Sequence, residues 1–255
     1  MKFIGIIPAR YASTRFPGKP LAMLCGKPVI QRVYEQVASV MKDVYVATDD
    51  ERIFQAVEGF GGKAVMTSAS HKSGTDRVEE ALQKVGAGSD VVVNIQGDEP
   101  FVNASQIDTL CKCFDDDATQ IATMCKPYTP DENIADLINP NVVKVVTDKR
   151  GWALYFSRNV IPFLRGVPQH EWLRNHTFLK HIGIYAYRSD VLKEITTLKE
   201  GTLEEAESLE QLRWLENGYR IKVGLTDVET VGIDTPADLE RAEKFLNNHK
   251  QEYYY

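Results

Sequence analysis

The stretch FIGIIPARYASTRFPGK, residues 3 to 19, decides the fold that we expect of this chain. Its apolar start, Phe3 to Ile7, is short and rich in isoleucine, which is typical of a buried strand. Proline and glycine then interrupt the chain and predict a loop, which carries three cations, Arg10, Arg15 and Lys19. Because ligands of open α/β sheets bind at the carboxyl ends of the strands, this loop is a candidate anion site.

The charge of the loop contrasts with that of the whole chain. Residues 1 to 34 contain six Lys or Arg and no Asp or Glu, whereas the 255-residue chain has a formal net charge of −6. Cations crowded into one loop repel one another unless an anion joins them, so we predict a polyphosphate site. A solvated basic loop is the alternative interpretation, since most charge clusters are solvated surface.

Composition narrows the class of protein. A hydrophobic content of 43% and a charged content of 26% are ordinary for a globular chain of this length. The acidic balance argues against a nucleic-acid partner. No apolar stretch reaches the roughly 18–20 residues that span a bilayer, and Arg10 interrupts the first apolar run before a signal peptide could form. We therefore expect a cytoplasmic protein without membrane insertion.

The four cysteines, Cys25, Cys111, Cys113 and Cys125, lack the spacing of a zinc site. We interpret them as reduced thiols, mostly with packing roles. The five histidines form no metal-ligand cluster in the sequence either.

Strand and helix signals alternate through the first half of the chain. Strands are predicted at 44–48, 64–66 and 91–95, and helices at 29–40, 51–60, 75–85 and about 103–114. This rhythm predicts an α/β fold with a mainly parallel sheet and helices on both faces.

The second half is less regular. Strands are predicted at 142–147, 153–156, 182–187 and 221–225, and helices at 205–217 and from Thr235-Pro236 to about 247. Residues 165–180 have no clean period. We expect one domain over 1–249, with a smaller lobe within about 126–188 and a frayed tail at 250–255.

Two aspartates are candidate metal ligands. Asp98 follows the apolar strand 91–95, and Asp234 immediately precedes a predicted helix start. Mg²⁺ commonly takes one or two carboxylates together with substrate phosphate oxygens. A turn residue at Asp98 and a capping residue at Asp234 are the alternative interpretations.

Other candidate residues are individually weak. Residues 73–77, Ser-Gly-Thr-Asp-Arg, place hydroxyls and a cation at a helix start, which suits an anion or a base edge but equally suits a plain cap. His181, Tyr185, Glu210 and Gln211 would by themselves be packing or solvated residues. The early loop is neither a Walker A motif nor Gly-x-Gly-x-x-Gly, which disfavours a dinucleotide oxidoreductase.

Taken in order, the motifs resemble those of the 3-deoxy-D-manno-octulosonate cytidylyltransferases, also called CMP-Kdo synthetases. They lie at residues 8–21, 47–49, 71–77, 93–100, 141–146, 155–158, 181–185, 209–213 and 231–236. The resemblance covers residue 3 to about residue 245, and residues 165–175 fit it least.

The resemblance implies a Rossmann-like three-layer α/β/α fold with a mixed, mainly parallel sheet and a small dimerisation lobe. It implies transfer of CMP from CTP to Kdo, an eight-carbon sugar acid, in lipopolysaccharide biosynthesis, with Mg²⁺ as cofactor. It also implies a homodimer.

The resemblance assigns residues to three roles. The nucleotide would be held by Pro8, Ala9, Arg10, Ser13, Lys19, Ser73, Thr75 and Arg77. The sugar acid would be held by Arg15, Gln96, His181, Tyr185, Glu210 and Gln211. Asp98 and Asp234 would bind the metal and, with Lys19, form the catalytic set.

Three rival functions stay open at this point. The same chemistry could act on another acid sugar, such as sialic acid or an amino variant of Kdo. The fold could serve a non-catalytic nucleotide sensor, which would tolerate loss of Asp98 or Asp234. A structural protein could use the basic loop to dock an acidic partner, but the two aspartates would then have no explanation.

Overall fold

The computed structural model describes residues 1–13, 15–86, 88–228 and 232–248. The chain divides into two compact units. Unit 1 comprises Met1–Asp108 and Thr230–Tyr255, and unit 2 comprises Thr109–Glu229. The predicted single domain with a lobe at 126–188 stays a prediction, and the predicted frayed tail lies outside the described residues.

The elements alternate along the chain. The strands are β1 Phe3–Ala9, β2 Met23–Leu24, β3 Lys27–Pro28, β4 Val44–Thr48, β5 Ala64–Met66, β6 Val91–Asn94, β7 Ile121–Pro127, β8 Lys144–Thr147, β9 Ala153–Ser157, β10 Leu179–Arg188 and β11 Ile221–Leu225. The α-helices are α1 Val29–Ala38, α2 Glu51–Gly59, α3 Gly74–Val85, α4 Ala104–Lys112, α5 Ile134–Ile138, α6 Trp172–Asn175, α7 Ser189–Ile195, α8 Thr202–Glu207, α9 Glu210–Glu216 and α10 Pro236–Asn248.

Unit 1 is built on four parallel strands, with a separate short antiparallel pair formed by β2 and β3. β1 pairs in parallel with both β4 and β6, and β5 pairs in parallel with β4. Ile4, Ile6 and Ile7 of β1 are at most 2% exposed, as the continuous apolar run predicts for a strand covered on both faces. Because β1 and β6 are parallel neighbours, the loops that follow them leave the same edge of the sheet.

Unit 2 contains both kinds of pairing. β7 pairs in parallel with β11 and antiparallel with β10, while β8 pairs antiparallel with β9 and β10. A separate cluster of buried apolar residues lies in this unit: Tyr128, Leu137, Trp172, Leu173 and Phe178. The pairings of the two units confirm the predicted α/β class with mixed, mainly parallel strands.

One prediction for unit 2 is wrong, and its elements α5, β7 and α7 were not predicted. The helix predicted over 205–217 is two helices, α8 and α9, because Ser208 adopts a left-handed conformation with φ 51° that breaks the helical path. The sequence analysis also missed β7, whose apolar run is interrupted by Thr123. The stretch 165–178 is irregular as expected, with short helical turns at Gln169–Glu171 and in α6, and β10 begins at Leu179.

Two further features bear on the expected setting of the protein. Cys25, Cys111, Cys113 and Cys125 are all free thiols, as predicted. Within the described part of the chain, no helix has the length and apolar character needed to cross a membrane.

Candidate active site

A cavity of about 300 Å³ opens in unit 1, at the carboxyl ends of β1 and β6. It is polar and lies where the sequence predicted an anion site. Its lining residues are Pro8, Ala9, Arg10, Ser13, Arg15, Lys19, Pro20, His71, Lys72, Ser73, Gly74, Arg77, Gln96, Gly97, Asp98 and Asp234. The structure therefore brings the basic loop and both candidate aspartates to one place, although they are far apart in sequence.

The basic loop is shaped around the ring of Tyr11. The Tyr11 carbonyl accepts hydrogen bonds from the backbone N–H groups of Ser13, at 3.0 Å, and Gly18, at 2.9 Å. Gly18 has φ 72°, and a Cβ atom there would lie 3.0 Å from the Tyr11 ring. The Arg52 guanidinium covers the same ring, 3.4 Å from its centroid. Glycine is therefore required at position 18 for both conformation and space.

The loop after β6 is held against the end of β1. A Cβ atom at Gly97 would lie 2.8 Å from the Pro8 carbonyl oxygen, so only glycine permits this approach. The Asp98 carbonyl accepts a hydrogen bond of 2.9 Å from the backbone N–H of Ile233. These two contacts explain how Asp98 comes to lie beside both the basic loop and Asp234.

Two carboxylates share one ammonium group at the centre of the cavity. Lys19 Nζ lies 2.5 Å from Asp98 Oδ2 and 3.2 Å from Asp234 Oδ1. Arg15 Nη2 lies 3.3 Å from Asp234 Oδ2, at the exposed rim. The Lys19 side chain is 12% exposed, so its ion pairs are less screened than those of Arg15, which is 66% exposed.

The two aspartates fit a hard divalent cation. Their carboxylates already converge on a single positive charge, the Lys19 ammonium, and offer only oxygen donors. Among the described residues, no group of three or more His, Cys, Asp or Glu side chains could hold a metal. A metal here would need further oxygen ligands from substrate, as Mg²⁺ with phosphates usually does.

A third carboxyl group lies next to this pair. Burial, followed by the charges of Asp98 and Asp234, raises the pKa of Glu99 to about 8. At neutral pH Glu99 is therefore mostly uncharged and adds little negative charge to the cluster.

Asp234 is positioned by the first turn of α10. The Asp238 carboxylate accepts hydrogen bonds from the backbone N–H groups of Asp234, at 3.1 Å, and Thr235, at 2.8 Å. Although burial raises the pKa of Asp238, the hydrogen bonds from Thr235 and Asp234 bring it below its ordinary value. The charged Asp238 thus fixes the backbone that carries Asp234.

The segment at 71–77 forms another wall of the cavity. Ser73 begins α3 as half of a capping box, accepting a 3.0 Å hydrogen bond from the Asp76 N–H. The buried Arg77 guanidinium donates to Thr67 Oγ1 at 2.6 Å and to Asp49 Oδ2 at 3.1 Å, so Asp49 balances its charge. Thr75 is 4% exposed and does not line the cavity.

Sequence reasoning assigned no role to five lining residues: Pro20, His71, Lys72, Gly74 and Gly97. Among these, the His71 ring contacts the Glu80 carboxylate, which also accepts from the Ser68 N–H at 2.8 Å. All five lie within motifs that contain predicted site residues, and that adjacency was the available signal.

The remaining predicted residues form a cluster within unit 2. His181 and Tyr185 lie on β10 with ring centroids 5.6 Å apart, and Tyr185 packs edge-on against Trp214 of α9 at 5.3 Å. Glu210 and Gln211 begin the same helix. Burial lowers the pKa of His181 to about 3, so its imidazole is neutral at physiological pH.

Burial also raises the pKa of Tyr185 well above its ordinary value, with smaller contributions from Tyr187 and Glu210. The cluster therefore presents a neutral imidazole and a neutral phenol near a carboxylate. Such a set suits a ligand with many hydroxyl groups. The structure thus gathers the predicted sugar residues of unit 2 and the predicted phosphate and metal residues of unit 1 into two groups, one in each unit.

Comparison with known proteins gives consistent results. Residues 4–221 match a family described as Cytidylyltransferase. The chain is 66% identical over 252 residues to a 3-deoxy-manno-octulosonate cytidylyltransferase of Phocaeicola vulgatus, covering 99% of this chain and 100% of that protein. It is also 66% identical over 248 residues to the protein of the same name in Bacteroides thetaiotaomicron, covering 97% and 99%.

A solved structure is similar over nearly the whole chain. It is that of a CMP:2-keto-3-deoxy-manno-octonic acid synthetase in complex with CTP, with a TM-score of 0.89 and 44% identity. The alignment covers 97% of this chain and 99% of the solved one.

Proposed function

The chain belongs to the 3-deoxy-manno-octulosonate cytidylyltransferase family, and on that premise we propose how its residues transfer CMP from CTP to Kdo, releasing pyrophosphate. The cavity of unit 1 is the observation that supports the assignment of substrate and metal roles to particular residues. There an acid-free basic loop meets two carboxylates that converge on one cation. A triphosphate and a divalent metal are the ligands that would satisfy both halves of this charge pattern.

The nucleotide is assigned to the basic loop and the start of α3. We assign the triphosphate to Arg10, Ser13 and Lys19, which line the cavity with cationic or hydroxyl groups. The cytidine is assigned to Ser73, Thr75 and Arg77, with Pro8 and Ala9 shaping the base pocket. Because Thr75 is buried, we limit its proposed role to a backbone contact with the nucleotide or to support of the neighbouring residues that contact it.

Asp98 and Asp234 would hold Mg²⁺, together with oxygens of the substrates. When bound, Mg²⁺ supplies positive charge that lowers the pKa of a coordinated hydroxyl and aligns anionic groups. Asp98 and Asp234 each have a defined backbone position, through the Ile233 N–H and the Asp238 carboxylate respectively.

The sugar acid is assigned to six residues. Arg15 offers a guanidinium that can bind the sugar carboxylate in a bidentate manner. Gln96, His181, Tyr185, Glu210 and Gln211 would contact its hydroxyl groups. The neutral state of His181 suits a hydroxyl ligand rather than an anionic one.

The reaction is an in-line displacement at phosphorus. The anomeric hydroxyl oxygen of the sugar attacks the α-phosphorus of CTP, its proton passes to solvent water, and the bond from that phosphorus to the pyrophosphate oxygen breaks. Lys19 and Arg10 stabilise the negative charge that develops on the departing pyrophosphate. The mechanism needs no covalent enzyme intermediate, because the sugar oxygen attacks the phosphorus directly.

Two further properties belong to the same proposal. The four free thiols fit a reducing compartment, and we place the enzyme in the cytoplasm. A homodimer is the assembly that the family resemblance predicts, and an oligomeric state measured by light scattering tests it.

The test is pyrophosphate release with CTP, Mg²⁺ and Kdo, with controls that omit the metal or the sugar. Release that requires both supports the proposal. A second arm replaces Kdo with sialic acid or an amino variant of Kdo, and release only there would move the substrate while keeping the mechanism. CTP binding without turnover on any sugar acid would favour a nucleotide sensor instead.

A further inference from the structure

A buried hydroxyl lies against the imidazole of His181 in unit 2. Thr123, in the middle of β7, is 0% exposed, and its Oγ1 lies 2.9 Å from His181 Nε2. Neither the sequence motifs nor the proposed roles above include Thr123. Because Thr123 is fully buried, the hydrogen bonds of its hydroxyl must all be made within the protein.

Two backbone carbonyl oxygens lie within hydrogen-bond distance of this hydroxyl and can accept its proton. The pairing of β10 with β7 shifts register between Ile182 and Tyr185, and the carbonyls around this bulge turn toward Thr123. Thr123 Oγ1 lies 2.9 Å from the Ile184 oxygen and 3.2 Å from the Ile182 oxygen. Carbonyl oxygens only accept, and a hydroxyl has a single proton to donate. A hydroxyl that donates to either carbonyl can only accept at His181, which makes Nε2 the donor there; Thr123 also shares a side-chain hydrogen bond with Tyr185.

Two further contacts position His181, one through its ring and one through its backbone. The ring packs edge-on against Phe156, with centroids 4.9 Å apart, and the His181 backbone N–H donates to the Val143 oxygen at 2.9 Å. Within the described residues, the structure shows no hydrogen bond to Nδ1, and His181 as a whole residue is half-buried. A neutral imidazole that donates through one nitrogen accepts through the other.

We propose that Thr123 is a positioning residue that fixes His181 as the Nε2-protonated tautomer, so that Nδ1 accepts a hydrogen bond from a hydroxyl group of the sugar acid. The inference deepens the proposed function and rests on the assignment of His181 to the sugar acid. It assigns a direction to that contact: the sugar donates and the enzyme accepts. A ligand whose matching group could only accept, such as an ether or keto oxygen, would lose the contact.

The tautomer is tested by nitrogen NMR on the intact ¹⁵N-labelled protein without substrate, with the His181 signals identified from a His181→Gln spectrum. We expect an Nε2–H that exchanges slowly with solvent and an unprotonated Nδ1. In Thr123→Val the Nε2–H signal should shift upfield or be lost to exchange, and in Thr123→Ser it should stay. An Nδ1-protonated His181 in the wild-type protein would overturn the inference whatever the variants do.

The second readout is kinetic and includes a matched control. Thr123→Val should raise KM for Kdo about 3- to 10-fold, the worth of one neutral hydrogen bond, with KM for CTP unchanged. Thr123→Ser should restore it. Thr119→Val removes another fully buried hydroxyl of unit 2, which donates to the Cys113 oxygen at 2.7 Å and does not contact His181, so its KM for Kdo should match the wild type.

The outcomes distinguish a failure of the positioning role of Thr123 from a failure of the proposed function. Equal KM increases for Kdo in Thr123→Val and Thr119→Val would mean a general packing effect and overturn the positioning role. The expected tautomer in a wild-type protein that turns over no sugar acid would instead contradict the proposed function and, with it, the sugar contact at Nδ1.

Discussion

Replacing Lys19 with methionine should change catalysis and metal binding in opposite directions. The Lys19 ammonium contacts Asp98 at 2.5 Å and Asp234 at 3.2 Å, so it occupies the position of a cation between the two candidate metal ligands. Methionine keeps most of the side-chain length and removes the charge. Loss of one preorganised electrostatic group typically lowers kcat by about 10²–10³-fold, and we expect this range for Lys19→Met.

The expected change in Mg²⁺ affinity follows from the same two ion pairs. Each partly exposed pair contributes up to about 1 kcal/mol, so removing both should strengthen Mg²⁺ binding by about 1–2 kcal/mol, or roughly 5- to 30-fold. The assay is pyrophosphate release titrated with Mg²⁺ at saturating CTP and Kdo. Lys27→Met is the matched control, because Lys27 lies in the same basic stretch and pairs with Glu35 at 2.6 Å on the exposed surface.

Two results would refute this reasoning. An unchanged kcat with a raised KM for Kdo alone would make Lys19 a sugar contact rather than a phosphate contact. A Mg²⁺ midpoint that rises in Lys19→Met would show that Lys19 does not compete with the metal for the carboxylates.

The remaining predictions concern three residues. Asp98→Asn should abolish turnover while CTP binding by calorimetry persists, with the surface change Asp43→Asn as control; near-normal turnover would remove Asp98 from the metal role. Gly97→Ala should lower kcat by about 10-fold or more, because its new Cβ would lie 2.8 Å from the Pro8 oxygen and displace the loop; wild-type kinetics would contradict this. The pKa of His181 is about 3 in the folded protein and about 6.5 in the unfolded chain, so between these pH values only the unfolded chain binds the proton. The free energy of unfolding should therefore fall as the pH decreases from about 6.5 to 3. At pH 5 urea unfolding should show about 1–2 kcal/mol of this loss in the wild type and none from this group in His181→Gln.

Much of the framework of unit 1 could be predicted from sequence. The predicted bounds of β4 and β5 are confirmed without change, because short apolar runs between turn signals leave little freedom. The helix start at Ser73 was recognisable from its Ser-x-x-Asp spacing. The anion site at the basic loop stays a prediction, which rests on the lack of any acidic residue within residues 1–34.

Other features depend on contacts between distant segments. The convergence of Asp98 and Asp234 requires the Gly97 approach to Pro8 and the Ile233 hydrogen bond, and neither is visible locally.

The break at Ser208 has a similar origin. The preceding Glu207 carboxylate accepts from Ser157 Oγ at 2.6 Å and from the Arg158 N–H at 2.8 Å, which are tertiary contacts. β7 was missed because Thr123 looks polar in sequence, whereas its hydroxyl is satisfied across the sheet.

The shared ammonium at the centre of the cavity has a thermodynamic consequence. Lys19 and Arg15 together balance the charges of Asp98 and Asp234, so the resting cluster is close to electroneutral. A metal ion arriving alone would leave an excess of positive charge, and a nucleotide arriving alone would leave an excess of negative charge. Each ligand therefore improves the affinity for the other, and by linkage the coupling is reciprocal. CTP and Mg²⁺ should bind with positive cooperativity, which favours capture of the preformed metal–nucleotide complex.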